Sequence, residues 1–269
     1  MTTEARRSIG LAGGPIDYLL RRSARSRGLR MTVDPRHGLV VSIPPPQRRG
    51  WAGPSGEARA EAFVRERERW VRRHLARLQR EQAEVQARGG IRDGGSILFR
   101  GEAHAIRLLR AEPTARRSSV ERSGAEGGDE LVILLAPRDR RAPEQVLEGW
   151  LRLRAREVVD QAIERYAAPL GVGPAVVDLR DPRTRWGSAS KQGRLMFSWR
   201  LVLAPPGALE TVVVHELAHL RVFGHGPRFW ALVASARPTH LADRAWLRNR
   251  SHELHAALDS GDSLDRAAS

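Results

Sequence analysis

The apolar and polar positions of the chain form short strand-like runs separated by longer helix-like stretches. Apolar runs at residues 16–20, 28–33 and 39–43 predict a small antiparallel β unit. The segment Asp34–Gly38 ("DPRHG") favours a hairpin turn, because Pro35 fixes a turn-compatible φ and Gly38 tolerates a positive φ. The Pro- and Gly-rich residues after Ile43 end this unit.

From about Glu57 to Arg88 the apolar positions recur at helical spacing and predict one long helix that stops at Gly89 and Gly90. The apolar stripe of this helix contains Phe63, Trp70, Val71, Leu75, Leu78 and Val85.

Further strands are predicted at residues 96–101, 104–110 and 131–136, with a polar mobile loop at 111–130. A second helix should begin at Pro143 and run to about Ala168.

The stretch from 175 to 206 suggests a strand, an irregular loop, a turn at Gly193 and another strand. We expect the strand near Leu195–Trp199 to offer an edge on which an extended peptide could add. No repeat with a period of 20–50 residues is present. The order of elements predicts an α+β fold rather than a regular βαβ series.

Composition narrows the chemistry. The chain has no cysteine, so any metal must be held by His, Asp or Glu. The net charge is +15, which is compatible with a nucleic-acid partner, but all basic residues except Lys191 are arginine and many alternate with glutamate. We interpret most of this charge as solvated helix surface. With no run of 18 apolar residues and no signal-peptide pattern, we expect a cytoplasmic protein without a membrane partner.

The strongest chemical signal is "HELAHLRVFGH" at residues 215–225. His215 and His219 are separated by about 40° and one turn on a helix, so both imidazoles can reach one metal ion. Apolar residues at 209, 213, 217 and 220 lie on the opposite side and predict a buried back for this helix. This is the geometry of a zincin helix, in which Glu216 beside the first histidine serves as the base.

A catalytic zinc commonly takes three protein ligands, and His225 is the candidate for the third. We expect Gly224 to end the helix with a positive φ and to turn the chain back toward the metal. A chance H-E-x-x-H in a chain of this composition has odds of about one in fifty, and the fixed third histidine lowers them to below about one in a thousand. The sequence therefore predicts Zn²⁺ as cofactor and hydrolysis by a metal-activated water with Glu216 as general base.

The other histidines are interpreted as ordinary surface or core residues. They are His37, His74, His104, His240, His252 and His255. Phe229 and Trp230, which come after the third ligand, are interpreted as core residues of the next helix.

Four segments together resemble the YgjP-like metal-dependent hydrolases, which have a zincin fold and are distantly related to SprT-like proteases. The segments are "RWGSAS" at 185–190, "LMFSWRLVLAPP" at 195–206, "VVHELAHL" at 213–220 and "HGPRFW" at 225–230. A looser similarity continues upstream, so that the resemblance covers roughly residues 15–250.

The resemblance implies that His215, His219 and His225 are the metal ligands and that Glu216 is the general base. Arg185, Trp186, Gly187 and Ser188 match the signature that precedes the active-site helix. For this segment, a structural turn with a buried tryptophan and a substrate-binding rim at Arg185, Trp186 and Ser188 are equally good interpretations. Ala189 stands where the family usually has cysteine. Val222 stands where metzincins have glycine, which argues against that group.

On this basis the chain divides into a flexible N-terminus (1–14), a β-rich subdomain with one long helix (15–140), a zincin-like catalytic core (141–257) and a flexible tail (258–269).

Three functions remain open at this point. The first is a zinc metallopeptidase acting on protein or peptide. The second is a metal-dependent nucleoside triphosphate pyrophosphatase, an activity that the resemblance also implies, although the chain lacks a P-loop and its three-histidine site lacks the carboxylates typical of magnesium centres. The third is a nucleic-acid-associated protein with a structural zinc. A structural zinc site needs no general base, so Glu216 would have no role in it. A peptidase recruited to DNA combines the first and third.

Overall fold

The computed structural model describes residues 2–34, 37–48, 51, 53–87, 90–123 and 129–258, without the side chains of 53–55, 81 and 84–86. Predicted features at Pro35, at Arg88 and Gly89, at the side chain of Val85 and in the tail after Leu258 therefore lie outside the described residues. The chain divides into two compact units, Met1–Ala83 and Glu84–Ser269.

The first unit contains a four-stranded sheet with the order β1-β2-β4-β3. Its strands are β1 (Thr2–Ile9), β2 (Ile16–Ser23), β3 (Arg30–Asp34) and β4 (Gly38–Ile43). The predicted β3–β4 hairpin is confirmed, with Gly38 at φ +67° and the His37 N–H donating to the Asp34 carboxylate over 3.1 Å. The expectation of an antiparallel unit is wrong for β2, which pairs parallel with β4. Leu39, Val41 and Ile43 lie on one face of β4 and are fully buried in the core of the first unit. Val40 on the other face is only 1% exposed, so β4 is covered on both faces there.

The long helix predicted at 57–88 is instead two helices, α1 (Gly53–Glu66) and α2 (Glu68–Ala87). Their junction is Arg67, whose N–H still donates to the Val64 carbonyl over 3.1 Å and whose side chain covers the Phe63 ring. Ala60, Val64 and Val71 are fully buried in the core of the first unit. Apolar periodicity did not reveal the junction, because it continues across it.

The predicted domain boundaries differ from the structure at the N-terminal end. Residues 1–14 were expected to be flexible, yet Thr2–Ile9 pairs along its whole length with β2. Arginines and glutamate on β1 masked this strand, whose only buried residue is Ile9. The unit boundary falls at residues 83 and 84, within α2, rather than near residue 140.

The second unit begins with another four-stranded sheet, of order β5-β6-β8-β7. Its strands are β5 (Ser96–Phe99), β6 (Glu102–Arg110), β7 (Ser119–Ser123) and β8 (Glu130–Leu135). The loop predicted at 111–130 is thus wrong for residues 119–123, which pair antiparallel with β8. Only Val120 of β7 is buried, so a polar edge strand looked like a loop.

Helix α3 (Pro143–Leu170) is the central helix of the second unit. Pro143 occupies its first turn as predicted, and the Gln145 side chain accepts the Ala142 N–H over 3.0 Å. Gly171 ends the helix with φ +68°. Its buried face packs against the sheet and against the elements that carry the site.

A third sheet has the order β10-β11-β9, built from β9 (Val176–Arg180), β10 (Gly187–Ala189) and β11 (Arg194–Ser198). The predicted turn at Gly193 is confirmed, with φ +77°. However, β11 lies in the middle, paired with β10 on one side and β9 on the other. The expectation of an open edge at Leu195–Trp199 is therefore wrong, because those backbone groups are already paired within the sheet.

After a 3₁₀ helix at Trp199–Leu203, three helices complete the second unit: α4 (Pro206–His219), α5 (Pro227–Ala236) and α6 (His240–Ala256). The molecule is thus of mixed α+β class, as predicted. Among the described residues, none of the helices combines the length and apolarity that crossing a bilayer requires.

Candidate metal centre

Helix α4 positions the first two histidines. Its apolar side is fully or nearly fully buried at Leu209, Val213 and Leu217, which fixes the rotation of the helix. His215 and His219 consequently face the opposite side, are half-buried, and lie one turn apart. Pro206 occupies the first turn, where its missing N–H costs nothing.

The segment after α4 returns the third histidine to the first two. The helix ends at His219, five residues before Gly224, so Gly224 is not the helix terminator that the sequence predicted. It has φ +90° all the same, and turns the loop so that His225 meets His215. The N–H groups of Arg221 and Val222 both donate to the Ala218 carbonyl and tighten the last turn.

The three histidines converge through their Nε2 atoms. The Nε2 atom of His215 lies 3.2 Å from Nε2 of His219 and 3.2 Å from Nε2 of His225. Two nitrogens bound to one tetrahedral zinc are about 3.3 Å apart, given Zn–N bonds of about 2.0 Å. The three ligand atoms lie within 4.8 Å of one another, and theirs is the one such cluster in the described part of the chain. The residues present therefore fit a divalent metal ion.

The chemistry of the imidazoles also suits a metal. Burial, together with the neighbouring His219 and His225, lowers the pKa of His215 to about 3. Burial likewise lowers the pKa of His219. The Nδ1 atom of His219 lies 3.4 Å from the Val222 carbonyl, and an N–H donated there leaves the Nε2 lone pair available. A neutral imidazole whose Nε2 lone pair is free is the form of histidine that binds zinc.

Phe229 on α5 holds all three rings. It is fully buried, as predicted, and its ring stacks on His219 with 4.4 Å between centroids. The His215 and His225 rings each lie 4.9 Å from it, edge to face. A rigid aromatic wall behind the ligands restricts their rotamers and so keeps the Nε2 atoms together.

Glu216 is buried beside Gly187 of β10, with only 6% of its surface exposed. A Cβ atom on Gly187 would lie 2.6 Å from Oε1 of Glu216, closer than packed atoms approach. Burial raises the pKa of this carboxyl to about 7, and the nearby Arg185 opposes the rise. A carboxyl that titrates near neutrality is suited to exchange a proton.

The three residues expected at a substrate-binding rim have different surroundings. Arg185 is exposed, and Ser188 is half-buried in the edge strand β10, opposite Met196. Trp186 packs against the core, stacks on His255 with 4.7 Å between ring centroids, and accepts the Ser198 N–H on its carbonyl. Trp186 is thus tied into the structure, whereas Arg185 and Ser188 lie beside the site.

The sequence did not show that Gly187 lies against Glu216 or that Trp230 lies beside the histidines. Trp230 is half-buried and packs against the core from α5, as predicted, but its ring centre also lies 5.6 Å from that of His215 and 5.7 Å from that of His225. The guanidinium of Arg244 on α6 covers the same ring at 4.1 Å. No sequence signal pointed to Arg244.

Comparison with protein families identifies the family of the chain. A family model described as the YgjP-like metallopeptidase domain matches residues 27–250, which includes every residue of the centre. Neither the curated proteins nor the solved structures gave a match. Because the family match spans most of the chain and contains the three converging histidines, the chain belongs to the YgjP-like metallopeptidase family.

Proposed function

We propose that the protein is a zinc-dependent peptidase that hydrolyses peptide bonds, with His215, His219 and His225 as the ligands and Glu216 as the general base. The observation that carries the proposal is the convergence of three imidazoles, with Nε2 of His215 3.2 Å from Nε2 of each of the others, and with a buried glutamate next in sequence to the first. A zincin-like catalytic core is the matching interpretation of the α+β second unit.

Zinc bound by these histidines would supply Lewis acidity toward a substrate carbonyl and an attacking water. The role of Glu216 is to take the proton of that water and to deliver it to the leaving amine. Its raised pKa, about 7, lets the same carboxyl accept a proton and give it up near neutral pH. Phe229 and the apolar side of α4 keep bulk water away from the back of the site.

An open, catalytic centre accounts for the ligand set better than a structural zinc does. The cluster contains three candidate ligands in the described part of the chain, and a closed structural site has four. His225 is exposed, so the side of the centre on which it lies is accessible to substrate. The edge strand β10, next to Glu216, is the described strand on which an extended peptide would add; it replaces the central strand β11 in that role.

The test compares bound metal and turnover of casein and of UTP in the wild type, Glu216→Gln and His219→Ala. Glu216→Gln should keep its metal and lose about 10²–10⁴-fold in casein turnover, as expected when a general base is removed. His219→Ala should lose both metal and activity. His37→Ala, at an exposed histidine of the first unit, is the matched control and should change neither.

Two results would count against the proposal. Full casein turnover in Glu216→Gln would remove Glu216 as the base. Hydrolysis of UTP with no hydrolysis of casein, sensitive to the same variants, would assign the centre to phosphoanhydrides instead.

A further inference from the structure

Next to the candidate metal centre, Arg244 and Trp230 form a pair that the peptidase chemistry does not use. The guanidinium carbon of Arg244 lies 4.1 Å from the centre of the Trp230 ring, a short cation–π distance. Because 5.6 Å separates that ring centre from the His215 ring centre, the guanidinium lies within about 10 Å of the His215 ring. Its positive charge also contributes to the lowered pKa of His215.

The pair is held in place from α6. His240 is buried, lies one helical turn before Arg244, and stacks on the same Trp230 with 5.8 Å between ring centres. Asp243, the neighbour of Arg244, accepts hydrogen bonds from Thr211 of α4 and from Arg237. The start of α6 is therefore fastened to the helix that carries His215, and the position of Arg244 relative to the centre is set.

The N–H donors of Arg244 are not engaged by a carboxylate of any residue in the described part of the chain. Arg200, Arg237 and Arg250 in the same unit each pair with a carboxylate at 3.0 Å or less. Arg244 is exposed and has no carboxylate partner among the residues that the structure describes. A guanidinium lying on an aromatic face keeps the N–H donors at its edge available, and these match a carboxylate in bidentate geometry.

We propose that Arg244, supported by Trp230, binds a carboxylate of the peptide substrate close to the cleaved bond. The carboxylate belongs either to an Asp or Glu side chain or to the C-terminus of the substrate. An extended chain advances about 3.5 Å per residue, so a group within about 10 Å of the centre reaches positions up to three residues from the cleaved bond. This inference rests on the proposed peptidase function and names the substrate class that the site prefers.

The experiment uses the full-length zinc-loaded protein. Cleavage sites in a digest of casein peptides are mapped first, and matched synthetic peptides are then made with Glu or Gln at each of three positions on either side of the bond. The wild type should cleave one Glu peptide about tenfold better, in kcat/KM, than its Gln counterpart, as a charge-assisted bidentate contact implies. Comparing free and amidated C-termini distinguishes a chain-end carboxylate from a side chain.

Arg244→Gln should abolish this preference by lowering kcat/KM for the Glu peptide about tenfold, since the carboxylate contact is removed. Arg228→Gln is the matched control: it removes the same charge from an exposed position on α5, two residues before Trp230, and should keep the full preference. Binding of the same peptides to the Glu216→Gln background, measured by fluorescence anisotropy, gives a readout independent of turnover and should show the same tenfold ratio.

The outcomes separate the two proposals. If no peptide is cleaved and none is bound, the peptidase function itself fails. If peptides are cleaved but Glu and Gln are equivalent in both wild type and Arg244→Gln, the function stands and the carboxylate site is wrong. If Arg228→Gln also lost the preference, the preference would come from the overall positive charge and not from a contact with Arg244. Binding of UTP or single-stranded DNA that depends on Arg244, with no peptide preference, would assign the residue to phosphate.

Discussion

The two four-stranded sheets of this protein share one topology, but only the second leads into elements that carry a candidate metal centre. In each sheet, an antiparallel hairpin pairs with a second antiparallel hairpin through one parallel contact, β2 with β4 in the first unit and β6 with β8 in the second. A helical segment comes after each sheet. The likeness is one of strand order and of pairing direction.

The candidate metal centre lies in the elements that come after the second sheet. Helices α1 and α2 supply the first unit with a small core, whereas α3 belongs to a larger core that continues through β11 to α4 and α5. The three converging histidines lie on and after α4. The same sheet order thus occurs with and without a candidate metal centre, which illustrates that the site, and not the arrangement of strands, carries the function.

The largest difference should come from matched truncations in the two cores. Ile43 on β4 and Ile133 on β8 are both fully buried. Each change to alanine should lower the free energy of unfolding by about 2–5 kcal/mol, measured by urea denaturation. Because Ile133 shares its core cluster with Leu217 and Phe229, Ile133→Ala should also release metal at lower denaturant concentration. Ile43→Ala should leave the midpoint of metal release unchanged; equal shifts in both variants would show that the two units unfold together.

A smaller effect is expected from a methyl group placed against Glu216. Gly187→Ala should displace this carboxylate, which its Cβ would meet at 2.6 Å, and lower casein turnover about a hundredfold, or about 2.7 kcal/mol in the barrier. Metal content should be unchanged because the histidines are not touched. Gly13→Ala in the first unit meets the flexible side chain of Arg72 at 2.7 Å and should leave turnover unaltered. Normal kinetics in Gly187→Ala would mean that Glu216 does not need its present position.

The smallest effect concerns the acid dependence of stability. Burial alone would raise the pKa of Asp243, but hydrogen bonds from Thr211, Arg237 and Thr239 outweigh it and lower the pKa below the usual 3.8. The unfolded state therefore binds the proton more readily, so this stabilisation is complete above about pH 4 and is lost as the pH falls through the folded-state pKa. Asp243→Asn should cost about 1–3 kcal/mol at pH 7 and flatten the loss of stability as the pH falls below about 4.

In the first unit the matched control is Glu68→Gln. The pKa of Glu68 is lowered chiefly by its hydrogen bond with Arg72, but 24% of the Glu68 side chain and 34% of the Arg72 side chain are exposed to solvent, which screens the interaction. In the Arg237–Asp243 pair both side chains are 17% exposed. Glu68→Gln should therefore change the pH profile of unfolding less than Asp243→Asn does. A larger change in Glu68→Gln would reverse the ranking of the two ion pairs.

Sequence patterns predicted the elements that have a single buried face and missed those that do not. The β3–β4 hairpin follows from two apolar runs separated by turn residues, the start of α3 from Pro143, and the buried side of α4 from helical spacing. Polar edge strands gave no such signal, which is why Thr2–Ile9 and Ser119–Ser123 were interpreted as flexible segments. The position of β11 in the middle of its sheet depends on partners distant in sequence, and local pattern does not specify them.

The candidate site shows the same division. The spacing of His215, Glu216, His219 and His225 is a property of the sequence, because a helix places residues four apart on one side and a turn can return a third ligand. Tertiary structure alone decided that Gly187 lies against Glu216 and that Arg244 lies over Trp230. It also decided the burial of Glu216, which raises the pKa of that carboxyl. Local geometry is set by bond rotations between near neighbours, whereas contacts across 14 to 29 residues depend on how separately formed elements pack.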